Sequence, residues 1–309
     1  GTSDTGAWLY MPELASIAGD GIWTNNGLLI AEDDAAPGIT NGTMNFLYRP
    51  TMSPTGQIQF VASVDIDANG GTDVRALYVS PDGTLANLAP VLQTGDVISG
   101  FTLDTFGVDY DYQYSDNGSH YAIVADLVTG STIDDGAVIV DGAVVLQEGV
   151  TATGGGDNFD NFDLVAINNA GTYVVSGDTD GPTGTDEMIA VNGVVAIREG
   201  DILDGITLTS GANVQAVSIN NNGIVAHQWS FSGGEALFLG YASDLAGTSA
   251  LILQEGDGLD LTSNCVADAT VTDFNPTSGG SHGINLAEDG SIYVSVDLDY
   301  DGDGVGEIL

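Results

Sequence analysis

The chain has 309 residues with 44 acidic side chains, three arginines and no lysine, so its formal net charge is −41 at pH 7. With so few cations it cannot neutralise phosphates, which excludes nucleic acids and anionic membrane surfaces as partners. The apolar content of 43% is enough for a sizeable core, in one large domain or two ordinary ones. No apolar run approaches the length of a membrane span, so no membrane insertion is expected.

Short runs of alternating apolar and polar residues recur along the chain and predict β-strands. In chain order they are QIQFVASVD at 57–65, HYAIVADL at 120–127, TYVVSGD at 172–178 and SIYVSVDLD at 291–299. No long stretch shows the 3.6-residue periodicity of an amphipathic helix. The sequence therefore predicts an all-β fold.

Three signals repeat in a fixed order along the chain. A polar turn closing on glycine precedes a strand, a pair of strands around a turn follows (GAVIVDGAVVLQEG at 136–149), and a motif such as VAIREGDILDG at 195–205 closes the unit. A repeat of this length with about four strands is typical of a propeller blade. We therefore predict repeated four-stranded antiparallel modules in one repeat domain, a five-bladed β-propeller. The approximate repeats are 1–50, 51–112, 113–165, 166–217 and 218–309.

The two ends of the chain complement each other in this scheme. A closing pair of strands is predicted at 21–34 with only a doubtful opening half at 7–18, whereas residues 291–309 form an opening half with no closing pair. The terminal strands are therefore expected to complete a blade, either within one molecule or between subunits. The second arrangement generates a filament if its geometry does not close.

Aspartates recur at fixed offsets after the predicted opening strands, and most of the acidic residues are aspartate, which suits turns and metal loops. Such loops supply the hard oxygens that Ca²⁺ prefers, so we predict Ca²⁺ as the cofactor. The alternatives are Asx-rich turns and an acidic coat adapted to high salt. The predicted metal ligands are Asp65, Asp67, Asn69 and Asp73 in a first loop, Asp178, Asp180 and Asp186 in another, and Asp297, Asp299, Asp301, Asp303 and Glu307 in the last. Asp126 and Asp134 have the same spacing without intervening acids and are a weaker candidate.

Two resemblances follow from these motifs. The stretch DYDGDGVGE at 299–307 resembles the calcium loops of FG-GAP-type propeller repeats, although it ends on glutamate instead of aspartate. The turn-strand and EGDxxxG pattern is similar to uncharacterised secreted bacterial tandem-repeat proteins. The second resemblance implies export and a β-propeller-like fold, and it implies no activity.

Sequence patterns of catalysis are weak. His120, His227 and His282 lack the spacing of a zinc site, Cys265 has no supporting pattern, and no GxSxG motif occurs. We therefore predict a protein that is not an enzyme, with a propeller hydrolase or lyase as the alternative. A ladder of alternating tyrosines, Tyr110, Tyr112 and Tyr114, either packs against a neighbouring sheet or stacks on sugars.

The sequence as a whole favours an extracellular structural protein. We predict a calcium-stabilised subunit of a filament, surface layer or matrix, whose partner is another copy of itself. The glycosylation sequons at Asn41 and Asn117 fit an extracellular or cell-surface location. The alternative is a calcium-dependent adhesin or carbohydrate-binding propeller, with glycans as partners.

Overall fold

The computed structural model describes residues 6–14, 19–107, 112–263, 265–274 and 284–300. The chain divides into two compact units, residues 1–147 (unit 1) and residues 148–309 (unit 2). Nearly all regular structure in the described residues is β, and it is built from short antiparallel strands. No helix among them is long and apolar enough to cross a membrane.

Unit 1 begins with a small sheet around β3. Its strands are β1 (Leu9–Tyr10), β2 (Glu13–Leu14), β3 (Gly19–Thr24) and β4 (Gly27–Ala31). On one edge β3 pairs with β4, which is the closing pair predicted at 21–34. On its other edge β3 pairs with β1 and β2. Residues 9–14, within the segment at 7–18 that the sequence left doubtful, therefore supply neighbours for β3 from the same unit.

Two larger sheets complete unit 1. The first has the order β5-β6-β7-β8 and the second the order β14-β13-β12-β10-β9, with β11 also paired to β12. The strands are β5 (Thr43–Met52), β6 (Ile58–Asp65), β7 (Val74–Ser80), β8 (Ala89–Gln93), β9 (Val97–Ile98), β10 (Phe101–Phe106), β11 (Tyr112–Tyr114), β12 (Tyr121–Leu127), β13 (Gly136–Val140) and β14 (Ala143–Gln147). A 3₁₀ turn, Leu85–Asn87, lies between β7 and β8.

Unit 2 repeats the same plan. Two four-stranded sheets have the orders β15-β16-β17-β18 and β21-β22-β23-β24, and a third sheet has the order β25-β26-β29. The strands are β15 (Leu164–Ile167), β16 (Tyr173–Gly177), β17 (Met188–Val191), β18 (Val194–Arg198), β19 (Ile202–Leu203), β20 (Ile206–Thr207), β21 (Asn213–Ile219), β22 (Ile224–Phe231), β23 (Gly234–Tyr241), β24 (Ala250–Gln254), β25 (Gly258–Leu259), β26 (Ala269–Phe274), β27 (Asn285–Leu286), β28 (Ile292–Tyr293) and β29 (Val296–Asp299). One helical turn, α1 (Leu245–Thr248), precedes β24.

The cores lie on both faces of the central strands. Every residue of β6 is buried, and β16 and β17 are buried throughout. Phe60 stacks on Tyr78 with ring centroids 5.4 Å apart. Apolar residues on both faces of a strand require cover on both sides, so these sheets cannot be stable as isolated modules.

The prediction of an all-β fold of repeated four-stranded antiparallel modules is confirmed. The predicted repeats start near 51, 113, 166 and 218, which lie inside β5, β11, β15 and β21, so each of the corresponding sheets begins before its predicted repeat. The glycine turn therefore joins the first and second strands in three of these sheets, and in the sheet of β9–β14 it joins β11 to β12.

In unit 2 these glycine turns also bind one another. Asn168 Nδ2 donates to the Asn220 carbonyl at 3.1 Å, and Asn220 Nδ2 donates to the Ala287 carbonyl at 3.2 Å. Each asparagine uses its Oδ1 to accept two N–H groups of its own turn. We call this set of turns, 168–171, 220–223 and 287–290, the asparagine ladder. It connects three consecutive turns along unit 2.

Candidate metal centres

The first predicted loop brings its acids together between β6 and β7. Carboxylate oxygens of Asp65, Asp67 and Asp73 lie within 4.8 Å of one another. Asp65 anchors the loop, because its Oδ2 accepts the Gly70 N–H at 2.6 Å and its Oδ1 accepts the N–H groups of Asp67 and Ala68. These bonds, the one from Gly70 first, lower the pKa of Asp65 from its ordinary value.

The other predicted ligands of this loop are also in place. Asp73 Oδ2 accepts the Ile66 N–H at 2.7 Å, which closes the loop across its base. Asn69 Nδ2 donates to Asp67 Oδ2 at 2.9 Å, and Asn69 Oδ1 accepts the Gly71 N–H at 2.6 Å. Carboxylate oxygens so close together repel one another, and a hard divalent cation would remove that repulsion.

A second loop, at 260–268, has the same construction with fewer acids. Asp260 Oδ2 accepts the N–H five residues later, from Cys265, and Asp268 Oδ2 accepts the N–H seven residues earlier, from Leu261. Backbone φ is positive at the fourth and sixth positions of both loops, at +62° and +79° in the first and +58° and +65° in the second. Thr262 stands where the first loop has Asp67. The loop therefore forms without an acid at its third position, and Asp67 is the side chain that makes the first copy a candidate metal site.

The set predicted at 178–186 is divided in the structure. Asp178 lies with Asp163 and Glu187, whose carboxylate oxygens approach within 4.8 Å of one another. Asp180 instead accepts two hydrogen bonds from Asn158, at 2.7 and 3.0 Å. Asp186 lies against Glu199.

Burial makes the carboxyl groups of Glu187 and Asp178 weaker acids than usual. Glu187 is 6% exposed, and burial, with Asp178 and Asp163 adding to it, raises its pKa well above the ordinary value. The pKa of Asp178 is also raised by burial. Glu187 Oε1 accepts the Val214 N–H at 2.8 Å, so this carboxylate links β17 to β21 of the following sheet.

A further group, absent from the sequence-based prediction, consists of Glu235, Glu255 and Asp273. Glu235 is the second residue of β23, Glu255 follows β24, and Asp273 lies on β26 of the next sheet. Burial, followed by the charges of Asp273 and Glu255, raises the pKa of Glu235 to about 7. Glu187 and Glu235 occupy equivalent positions near the start of the third strand of their sheets. This repeated glutamate was the sequence signal that could have identified the group. It was missed because the metal prediction followed spacing within single loops.

The last predicted set lies mostly outside the described residues, which exclude Asp301, Asp303 and Glu307. Asp297 and Asp299 lie on β29, paired with Asp273 and Thr270 of β26. The structure thus places Asp297 beside a member of the Glu235 group.

The remaining candidates have other partners. Asp134 Oδ1 accepts a bond from Thr129 Oγ1 at 2.7 Å, and burial raises the pKa of Asp126. His227 is fully buried, where its Nδ1 accepts from Trp229 Nε1 at 3.0 Å and its Nε2 lies 2.9 Å from Ser249 Oγ. The described part of the tyrosine ladder, Tyr112 and Tyr114, is buried and so does not present a sugar-stacking surface.

Comparison with known proteins finds one family. The family described as "Family of unknown function (DUF7453)" matches residues 6–237. No curated protein gives a significant sequence match.

Solved structures similar to the chain include β-propellers. The Dos1 propeller is 12% identical, with 92% of this chain and 71% of that chain covered and a TM-score of 0.36. The β-propeller domain of the Trilobed protease from Pyrococcus furiosus is 12% identical, with 96% of this chain and 92% of that chain covered and a TM-score of 0.32. Prolyl oligopeptidase B from Galerina marginata is 10% identical with a TM-score of 0.34; 94% of this chain is covered, and the match spans 48% of that protein.

Proposed function

The chain belongs to the DUF7453 family of unknown function, and we propose that it is an extracellular structural protein whose β-sheet modules are stabilised by calcium. The observation that carries this proposal is the loop at 65–73, where three carboxylates converge in a chain of 44 acidic residues and three arginines. Calcium would bind the folded loop and not the unfolded chain, so binding adds directly to stability.

The connections between consecutive sheets support a structural role. In unit 2 the asparagine ladder joins successive turns, and Glu187 joins β17 to the first strand of the next sheet. In unit 1 Arg75, near the start of β7, donates from Nη1 to the Phe106 carbonyl and to Thr105 Oγ1 on β10. Within each unit, side-chain hydrogen bonds of this kind would let consecutive sheets bear load together.

The proposal includes self-assembly at the cell surface. In the described residues β29 pairs with β26 near the end of the chain, and assembly would add a terminal strand of one copy to a sheet of another. Extracellular fluids supply calcium at the millimolar concentrations that weak extracellular sites require. The high acidity of the chain suits the same environment.

Calcium titration of the wild type and of Asp67→Thr tests the metal part of the proposal. The variant gives the first loop the residue that stands at the same position of the loop at 260–268, where Thr262 is accommodated. We expect calorimetry to detect calcium binding that Asp67→Thr weakens, with unchanged circular dichroism. At calcium concentrations a hundredfold above Kd, binding should stabilise the wild type by about 2.7 kcal/mol. Equal binding by the two proteins would overturn the assignment of this loop.

Light scattering and negative-stain imaging test the structural part. Samples in millimolar calcium and in EDTA are compared with a chain lacking residues 296–309. Polymers that disappear on truncation and weaken in EDTA are expected. A wild-type chain that stays monomeric in calcium contradicts self-assembly but leaves the calcium result intact.

A further inference from the structure

An unpartnered buried amide lies beside the acidic group of β23, β24 and β26. The side chain of Gln228 is fully buried, and its Nε2 donates to Glu235 Oε2 at 3.2 Å. Its Oε1 is buried and has no hydrogen-bond partner. An unsatisfied buried amide oxygen costs about 1–3 kcal/mol, so a retained one requires an explanation.

Two more buried oxygens without partners occur on β26 and β29, the strand of Asp273 and the strand paired with it. Asp297 Oδ1 and Thr272 Oγ1 are buried and form no hydrogen bond. Asp297 is the strand partner of Asp273, and Thr272 precedes Asp273 on β26 at a register shift of the β26–β29 pair. Register partners in an antiparallel pair project to the same face, so Asp297 lies on the side of Asp273.

These oxygens are of the kinds that a hard cation binds. Carboxylate, amide and hydroxyl oxygens are calcium ligands, and buried oxygens that lack donors gain most from a cation. A hydrogen-bonded turn would have satisfied the same atoms with backbone N–H groups, as it does for Asp65. Here the backbone donors to the group are the Phe274 N–H, 3.3 Å from Glu235 Oε2, and the Glu235 N–H, which binds the Glu255 carboxylate.

We propose that Glu235, Glu255 and Asp273 bind a divalent cation of the calcium type, with the amide oxygen of Gln228 as a neutral ligand. The ion joins the sheet β21-β22-β23-β24 to the sheet β25-β26-β29, because Asp273 belongs to the second sheet and the two glutamates to the first. This site extends the proposed calcium dependence, but it does not require that the loop at 65–73 binds calcium.

The test is calcium binding by Glu255→Gln in the Asp67→Thr background, where the first loop is already altered. Asp257→Asn is the matched control, since it removes the same charge two residues away; Asp257 accepts the Gln254 N–H and an asparagine oxygen can do the same. We expect Asp67→Thr alone to retain calcium binding by calorimetry, Glu255→Gln to weaken it by roughly tenfold or more, and Asp257→Asn to leave it unchanged.

Melting temperatures separate loss of a ligand from loss of the fold. In EDTA, Glu255→Gln should have a melting temperature equal to or above that of its parent, Asp67→Thr, because one of three repelling carboxylates is gone. Calcium should raise the melting temperature of the parent but not that of Glu255→Gln. If Glu255→Gln does not fold, Gln228→Met serves as the second variant, expected to weaken binding while keeping all three acids. Calcium affinity unchanged by either folded variant overturns this site, whatever the outcome at the first loop.

Discussion

Replacing Asn220 by alanine should remove a large part of the stability that the asparagine ladder gives to unit 2. The side chain is 1% exposed and makes three hydrogen bonds. Its Oδ1 accepts the N–H groups of Asn222 at 3.1 Å and Ile224 at 3.0 Å, and its Nδ2 donates to the Ala287 carbonyl at 3.2 Å. At a net value near 1 kcal/mol for each bond, Asn220→Ala should lower the free energy of unfolding by about 3 kcal/mol.

Asn220→Ser should have an intermediate effect. Serine occupies the same turn position in unit 1, where Ser53 Oγ accepts the Gln57 N–H at 3.1 Å and Ser115 Oγ accepts the His120 N–H at 3.0 Å. A serine can therefore replace one accepted bond but cannot reach the next turn. We expect it to cost about two-thirds as much as alanine, because two of the three bonds are lost.

Urea unfolding followed by Trp229 fluorescence measures these differences. Trp229 is fully buried in unit 2, and changing Trp8 and Trp23 to phenylalanine makes it the reporter. Asn25→Ala, at an exposed asparagine of the turn between β3 and β4, is the control and should change stability by less than about 0.5 kcal/mol. If Asn220→Ala changes stability no more than this control does, the ladder does not stabilise the fold.

Three further predictions concern ionisable groups. Burial lowers the pKa of His227 to about 3. As the pH falls from 8 to 5 the unfolded chain binds a proton at this residue and the folded chain does not, so the wild type should lose about 2 kcal/mol of stability relative to His227→Gln. Parallel pH profiles of the two proteins in urea unfolding would contradict this. Asp157, which binds Thr153 Oγ1 and both terminal nitrogens of Arg198, has a pKa lowered to about 2, chiefly by the Thr153 bond. Asp157→Asn should therefore cost about 1–2 kcal/mol at pH 7, a difference that shrinks as acid protonates the wild-type carboxyl, and equal stability at pH 7 would refute it. The raised pKa of Glu187 means that, in EDTA, the stability of the wild type falls as the pH rises above the ordinary pKa of glutamate. Glu187→Gln should therefore be more stable than the wild type at pH 8. A lower urea midpoint for Glu187→Gln than for the wild type at that pH would contradict this.

The candidate metal loop at 65–73 was predictable because its chemistry is local. Its four proposed ligands lie within nine residues, and the turn that presents them is formed by hydrogen bonds to Asp65 and by positive φ at Ala68 and Gly70. The same local reasoning missed the loop at 260–268, since its spacing of aspartates occurs without the intervening acid.

Long-range acidic groups were not predictable from spacing. Asp178, Asp180 and Asp186 look like one ligand set in the sequence, but the pairing of β16 with β17 sets Asp178 beside Glu187, and Asn158 binds Asp180. The side chains of a strand alternate between faces, so strand register decides which acids meet.

The sequence by itself determined the all-β fold, the repetition of four-stranded modules and the recurring glycine turn that precedes a strand in each. These features depend on residue periodicity and turn chemistry over a few positions. Only the tertiary structure decided that Glu235, Glu255 and Asp273 meet beside the buried amide of Gln228. Their meeting depends on how one sheet packs against the next, and packing joins residues that lie far apart along the chain.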